Sequence, residues 1–152
     1  MSDNPLGWKS ARILPAFYNG VARSLAGESA SCFRVTAFRF GYGFVDDAQV
    51  PPVLETVPTD IDTLPGVFFE GTPTMSYVDG RLMIRCHMPL NSVTEPAPYA
   101  LTGLYDQDDN LIAVAQDMPL WLSPVTLHTT YVYIDFPTVV PNPPQFFEGD
   151  CQ

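Results

Sequence analysis

Carboxylate and amide side chains are concentrated in one short segment of the sequence, between two apolar runs. Asp106, Asp108 and Asn110 stand at positions one, three and five of a D-x-D-x-N pattern, the spacing with which calcium loops supply oxygen ligands. Asp117 falls at position twelve, where such a loop places its last carboxylate. The segment therefore has two chemical interpretations, a calcium site and a polar hairpin turn.

The sixth position of this pattern favours the turn. A calcium loop needs glycine there for its sharp bend, and this chain has Leu111, which opens the apolar run 111–115. Asp and Asn are frequent in turns because their side chains hydrogen-bond to nearby backbone groups. We therefore expect a solvated hairpin tip between two strands, and we predict no metal and no other cofactor.

Cysteine and histidine are not spaced for nucleophilic catalysis or zinc binding. The chain has no G-x-S-x-G elbow and no H-x-x-x-H or H-E-x-x-H spacing, and pairing Cys32 or Cys86 with either histidine would be arbitrary. His87 lies in a predicted strand, where a half-buried or edge position is the simpler interpretation. Three widely spaced cysteines with no C-x-x-C pair suit reduced thiols, with Cys32 and Cys86 as small core residues. The sequence predicts no enzymatic activity.

The composition indicates a surface that meets other proteins. Charged residues make up 16% of the 152 residues, against about 25% in soluble domains, and hydrophobic residues reach 46%. A net charge of −10 disfavours nucleic acid and anionic membranes as partners. We find no signal peptide and no apolar run long enough to span a membrane, so we expect synthesis in the cytoplasm.

Aromatic side chains provide the candidate binding residues. Trp8, Trp121, Tyr131 and Tyr133 could stack on sugars, although aromatic residues in strands more often belong to the core. The residues that we predict to contact a protein partner are Tyr105, Trp121, Phe146 and Phe147.

Periodicity and turn residues predict one helix followed by antiparallel strands. A helix over 16–26 begins after Pro15 and ends at Gly27, and a strand follows over 33–44. The proline-rich segment 46–66 is typical of a long surface loop, with a short helical turn within 54–61. Asp79 and Gly80 suit a type I′ turn between strands 75–78 and 81–86.

Three further strands and an arm complete the predicted fold. Two strands flank the acidic segment, and residues 129–136 form a last strand rich in β-branched and aromatic residues. The fold class is α+β, with a short N-terminal helix packed on a mainly antiparallel sheet or small sandwich. One domain spans residues 1–137, and residues 138–152 form a proline-rich, extended C-terminal arm.

Residues 103–114, which read Gly-Leu-Tyr-Asp, then the acidic turn, then Leu-Ile-Ala-Val, resemble the N-terminal attachment domain of phage tail-collar fibre proteins. Two weaker landmarks precede this motif in the same order. Residues 19–27 are similar to the family's glycine-containing helix, and residues 35–43 are similar to a strand that ends in a glycine pair. The three landmarks span about residues 19 to 118.

The resemblance implies a non-enzymatic structural protein of a bacteriophage tail, at the baseplate or tail tip, which connects tail fibres to the particle. Without a long shaft after the domain, the chain would be a separate adaptor in the virion tail, assembled in the host cytoplasm with baseplate and fibre subunits. The family also implies homo-oligomers in multiples of three. A carbohydrate-binding module at the tail tip and an acidic fibre-assembly chaperone are the alternatives.

Overall fold

The computed structural model of the chain describes residues 9–27 and 33–135. These residues form mostly antiparallel β-sheets and one short helix, which agrees with the predicted α+β class in its coarse form. The elements are β1 (Lys9–Ser10), β2 (Arg12–Ile13), α1 (Pro15–Leu25), β3 (Val35–Gly41), β4 (Val45–Asp46), β5 (Val53–Leu54), β6 (Phe69–Gly71), β7 (Thr74–Val78), β8 (Arg81–Met88), β9 (Ala97–Asp106), β10 (Leu111–Leu122) and β11 (His128–Asp135).

The helix α1, Pro15–Leu25, begins and ends one residue before the predicted range 16–26. Pro15 occupies its first turn, where the missing N–H costs nothing, and Gly27 follows its end with a φ of +74°. Phe17 is buried against the sheets. The ring of Phe33 lies against Gly20, so that a larger residue at this position would displace the ring.

The larger sheet has five strands in the order β2-β10-β9-β3-β6, and every neighbouring pair is antiparallel. Its centre is the predicted hairpin β9–β10, whose turn carries the acidic segment. The predicted strand over 33–44 is observed as β3, which is shorter at both ends. The pairing of β3 with β9 shifts register at Thr36, between Val35 and Ala37. After this shift the even-numbered residues Phe38 and Phe40 face the core, and both are fully buried.

The smaller sheet has four strands in the order β1-β11-β8-β7. Strand β1 is parallel to β11, and the other neighbouring pairs are antiparallel. The predicted Asp79-Gly80 hairpin is confirmed, since both turn residues have positive φ, +49° and +80°. The predicted last strand is confirmed as β11, although Phe136 lies outside the described residues.

One hydrophobic core receives side chains from both sheets. Phe38, Tyr99 and Leu104 come from the five-stranded sheet, and Ile84 and Val132 come from the four-stranded sheet. All five are buried. Burial of these apolar side chains therefore contributes to the stability of the described part of the chain.

The proline-rich segment 46–66 corrects two predictions. Its part 55–65 covers the outer face of the five-stranded sheet, where Val57 and Leu64 are buried in a second apolar cluster, so it is more than a surface loop. The helical turn predicted within 54–61 is reduced to a single turn at its end, where the Ile61 N–H donates to the Pro58 carbonyl at 3.5 Å. Leu54 pairs with Val45, and the Glu55 N–H donates to the Phe44 carbonyl, so these backbone groups bond across a small hairpin.

Candidate functional site

The acidic segment forms the turn of the β9–β10 hairpin, and Asp106 organises it. One carboxylate oxygen of Asp106 accepts hydrogen bonds from the backbone N–H groups of Asp108 and Asn110, both at 2.9 Å. The other oxygen accepts the Asn110 side-chain amide at 3.2 Å. Asp109 takes the left-handed φ of +64° that such a turn needs. Because these hydrogen bonds satisfy the N–H groups of the turn, the buried carboxylate of Asp106 acts as an internal cap.

The carboxylates of Asp108 and Asp109 do not converge with that of Asp106 on one point. Asp109 pairs with Arg39 at 2.6 Å, and Asp108 is exposed to solvent. Within residues 9–27 and 33–135, no three side chains of the His, Cys, Asp and Glu types are grouped so that they could share a metal ion. The geometry of the described residues therefore matches the turn interpretation of the motif.

Arg39 of β3 links three strands on the outer face of the five-stranded sheet. Its guanidinium donates to Glu70 of β6 and to Asp109 of the hairpin turn, both at 2.6 Å. The guanidinium also lies over the Tyr105 ring, 4.0 Å from its centre. The hydrogen bond to Glu70 is the largest of the effects that raise the pKa of Arg39 above its ordinary value.

Each residue of the Gly-Leu-Tyr-Asp motif has a separate structural role. A Cβ at Gly103 would lie 2.9 Å from Leu111 and 3.1 Å from Leu64. Glycine at this position therefore lets the covering segment, residues 55–65, pack closely on the hairpin. Leu104 is fully buried in the main core, while Tyr105 faces the second cluster beneath Arg39. Asp106 then caps the turn. Leu104 and Tyr105 thus connect the hairpin to the two apolar clusters.

The four predicted partner-binding residues have different positions. Tyr105 is only 4% exposed, which gives it a structural role in the described fold, and a partner contact for it stays a prediction. Trp121 lies near the end of β10 and is 70% exposed. Phe146 and Phe147 lie outside the described residues, as do Trp8, Cys32, Cys151 and the arm 138–152.

Two open grooves flank the acidic turn. One, of about 280 Å³, separates it from α1 and is lined by Asn19, Arg23 and Gln107. The other, of about 350 Å³, lies beside the covering segment and includes Asp60 and Asp62. The grooves present mixed polar groups and carboxylates to any neighbour that approaches the hairpin tip.

The edge strand β7 carries exposed residues that the sequence interpretation missed. All five of its residues are exposed. Met75 pairs with Ile84 and Tyr77 with Leu82, and directly paired residues share a face of the sheet. Ile84 is fully buried in the core. Met75 and Tyr77 therefore lie on the core face of the smaller sheet, yet they are 42% and 67% exposed.

The remaining candidate nucleophile and bases lie in or near the core. Cys86 is fully buried, as predicted, and burial raises the pKa of its thiol to about 12. His87 is half-buried, and its Nδ1 lies 2.7 Å from the Thr129 hydroxyl. The His128 ring packs against Phe40 and Tyr99, and burial lowers its pKa. Cys86 is thus a protonated core residue near neutral pH.

Within the described ranges, no helix combines the length and the apolar character that a membrane span needs. Comparison of the chain with protein-family models, with curated proteins and with solved structures found no match.

Proposed function

We propose that the protein is a non-enzymatic structural component of a bacteriophage tail, at the baseplate or tail tip, where it connects tail fibres to the particle. Its partners are other tail subunits, and it is assembled in the host cytoplasm. The resemblance of residues 103–114 to the attachment domain of tail-collar fibre proteins supports this assignment. The interlocked roles of Gly103, Tyr105 and Asp106 give a physical reason for that residue pattern.

The observation that carries the proposal is a group of exposed apolar side chains at one part of the fold. Trp121, Val125 and Leu127 are all more than half exposed, although they lie within or directly after β10. A hydrogen bond from the Asn91 N–H to the Pro124 carbonyl, 2.8 Å long, holds the loop that bears the exposed Leu90 beside this segment. Large apolar side chains so exposed are typical of surfaces that a neighbouring subunit covers.

Mass spectrometry of purified, intact particles of a phage that encodes this chain tests the proposal. We expect the chain in the particles, at a constant ratio to the baseplate proteins. Its presence in the infected lysate together with its absence from particles would contradict the proposal and would favour the assembly chaperone.

A matched pair of variants tests the exposed surface. Trp121→Ala should reduce incorporation into particles, because it removes the largest exposed side chain of this region. Tyr18→Ala is the control, since Tyr18 is a similarly exposed aromatic residue on α1. Equal incorporation of both variants would show that the surface around Trp121 does not contact a neighbouring subunit.

Exposure of Trp121 also favours a second function, a carbohydrate-binding module at the tail tip. An exposed indole ring offers a flat apolar surface on which sugars stack. Glycan-array binding that is lost in Trp121→Ala but kept in Tyr18→Ala would support this function. Absence of binding by the wild-type protein to any glycan would exclude it.

The finer architecture belongs to the same proposal. We propose that the two larger sheets form a small sandwich and that residues 138–152 form an extended arm which orders on assembly. The shared cluster of Phe38 and Ile84, one from each sheet, supports face-to-face packing. An experimental structure of the isolated chain tests the sandwich, and one of the assembled tail tests the arm.

A further inference from the structure

The outer edge of β7 presents, at defined positions, backbone groups that pair with no other strand of residues 9–27 and 33–135. Strand β7 is the last strand of the smaller sheet, and among the described strands its only neighbour in that sheet is β8. In a two-residue type I′ hairpin, the residues that close the turn, here Val78 and Arg81, exchange both backbone hydrogen bonds. Alternation along the strand then directs the N–H and C=O groups of Met75 and Tyr77 away from β8.

This edge lacks the devices that normally prevent strand pairing. Residues 74–78 read Thr-Met-Ser-Tyr-Val, with no charge and no proline, whereas protected edges carry lysine, proline or a bulge. Met75 and Tyr77 also continue the core face of the sheet, and no described part of the chain covers them. The edge can therefore gain both backbone hydrogen bonds and apolar contact from an added strand.

We infer that β7 pairs antiparallel with β7 of a second copy of this chain, around a two-fold axis at Ser76. In this register Met75 lies opposite Tyr77 of the second copy, and both residues direct their free backbone groups at each other. Each such pair would exchange two hydrogen bonds, and the Met75 thioether would contact an aromatic ring. The smaller sheets of the two copies would join into one continuous sheet.

The charges at the two ends of β7 favour the antiparallel direction. Asp79 follows one end of the strand, and Arg85 pairs with Thr74 at the other. The antiparallel arrangement brings the acidic end of one copy beside the basic end of the other, whereas a parallel one would place like charges together. Arg81 is already paired with Asp135, at 2.8 Å. A second copy is therefore electrostatically compatible, although the chain carries a net charge of −10.

Cysteine cross-linking tests the register, in the full chain with Cys32→Ser and Cys151→Ser. Ser76→Cys should form an intermolecular disulfide rapidly under mild oxidation, because Cα atoms in a non-hydrogen-bonded pair lie about 4.5 Å apart. Thr74→Cys is the matched control on the same strand and face. Its two copies would be separated along the strands by about 13 Å, so it should not cross-link. Equal cross-linking of both variants, or of neither, would overturn the inference.

Sedimentation of the chain without added cysteines gives a second, independent measurement. The wild-type chain should form a dimer at high concentration. Met75→Pro should be monomeric with an unchanged circular dichroism spectrum, because the lost N–H is one that β8 does not use. A wild-type chain that stays monomeric at every soluble concentration would contradict the inference and would point to another occupant, such as the arm 138–152. The dimer needs no phage component, so this result is separate from the test of tail incorporation.

Discussion

The guanidinium of Arg39 lies 4.0 Å from the centre of the Tyr105 ring and closes the outer face of the five-stranded sheet over that ring. The same guanidinium holds Glu70 and Asp109, which belong to β6 and to the hairpin turn. A buried aromatic ring beneath a paired arginine is a rigid arrangement, because neither side chain can move without losing the other's contacts. The hairpin that carries the family-like motif is therefore fixed to β3.

Replacement of Arg39 should lower stability more than replacement of another arginine on a strand. Arg39→Met keeps an unbranched apolar stem but removes two ion pairs and the contact with Tyr105, so we expect a loss of about 1–2 kcal/mol. Arg85→Met is the control at an exposed site, with an expected change below about 0.5 kcal/mol. Urea unfolding measures both. Equal effects would show that the contacts of Arg39 add nothing to stability.

The cap formed by Asp106 should be sensitive to loss of its carboxylate. Asp106→Ala leaves two backbone N–H groups of the turn without their acceptor, and we expect a loss of about 2–3 kcal/mol. Asp106→Asn keeps one acceptor oxygen and should cost less, while Asp108→Ala alters an exposed side chain and should cost little. Thermal unfolding of the three variants ranks their losses of stability. An Asp108→Ala effect as large as that of Asp106→Ala would contradict the capping role.

Gly103 and Leu64 should be energetically coupled. Gly103→Ala inserts a methyl group 3.1 Å from Leu64, and overpacking of this kind costs about 1–3 kcal/mol. Leu64→Ala creates space at the same point, so the double variant should be less destabilised than the sum of the single variants. A double-mutant cycle by urea unfolding measures the coupling. Additive effects would mean that Leu64 does not pack on Gly103 in solution.

The buried thiol of Cys86 should be unreactive in the folded protein. With Cys32 and Cys151 replaced by serine, we expect no reaction with Ellman's reagent in buffer and full reaction in denaturant. Because burial raises the thiol pKa from 9.0 to about 12, the unfolded chain loses this proton at lower pH than the folded chain. The free energy of unfolding should therefore fall as the pH rises above about 9. This fall should be smaller in Cys86→Ala, which lacks the thiol. Rapid reaction of the folded protein would contradict burial of the thiol.

Local sequence signals predicted the elements that local geometry determines. Pro15 and Gly27 mark the ends of α1, and Asp79-Gly80 defines the β7–β8 hairpin, because these residues restrict or permit particular backbone angles. The acidic turn between β9 and β10 was predictable for the same reason.

Features that depend on distant partners were not predictable. Strands β1 and β2 have two residues each and are defined by pairing with β11 and β10, far along the chain. Val57 and Leu64 are isolated apolar residues in a proline-rich segment, and only the sheet beneath them explains their burial. The exposure of Met75 and Tyr77 likewise depends on which distant residues reach that face of the sheet. The uncharged sequence of β7 was the one local signal of an open edge.

Electron cryomicroscopy of an assembled tail from a phage that encodes this chain tests the central claim most directly. We predict density for the described fold between the baseplate and the fibre attachment point, with the surface around Trp121 covered by a neighbouring subunit. A complete tail map in which every density is assigned to other proteins would contradict the claim that this chain is a structural tail subunit.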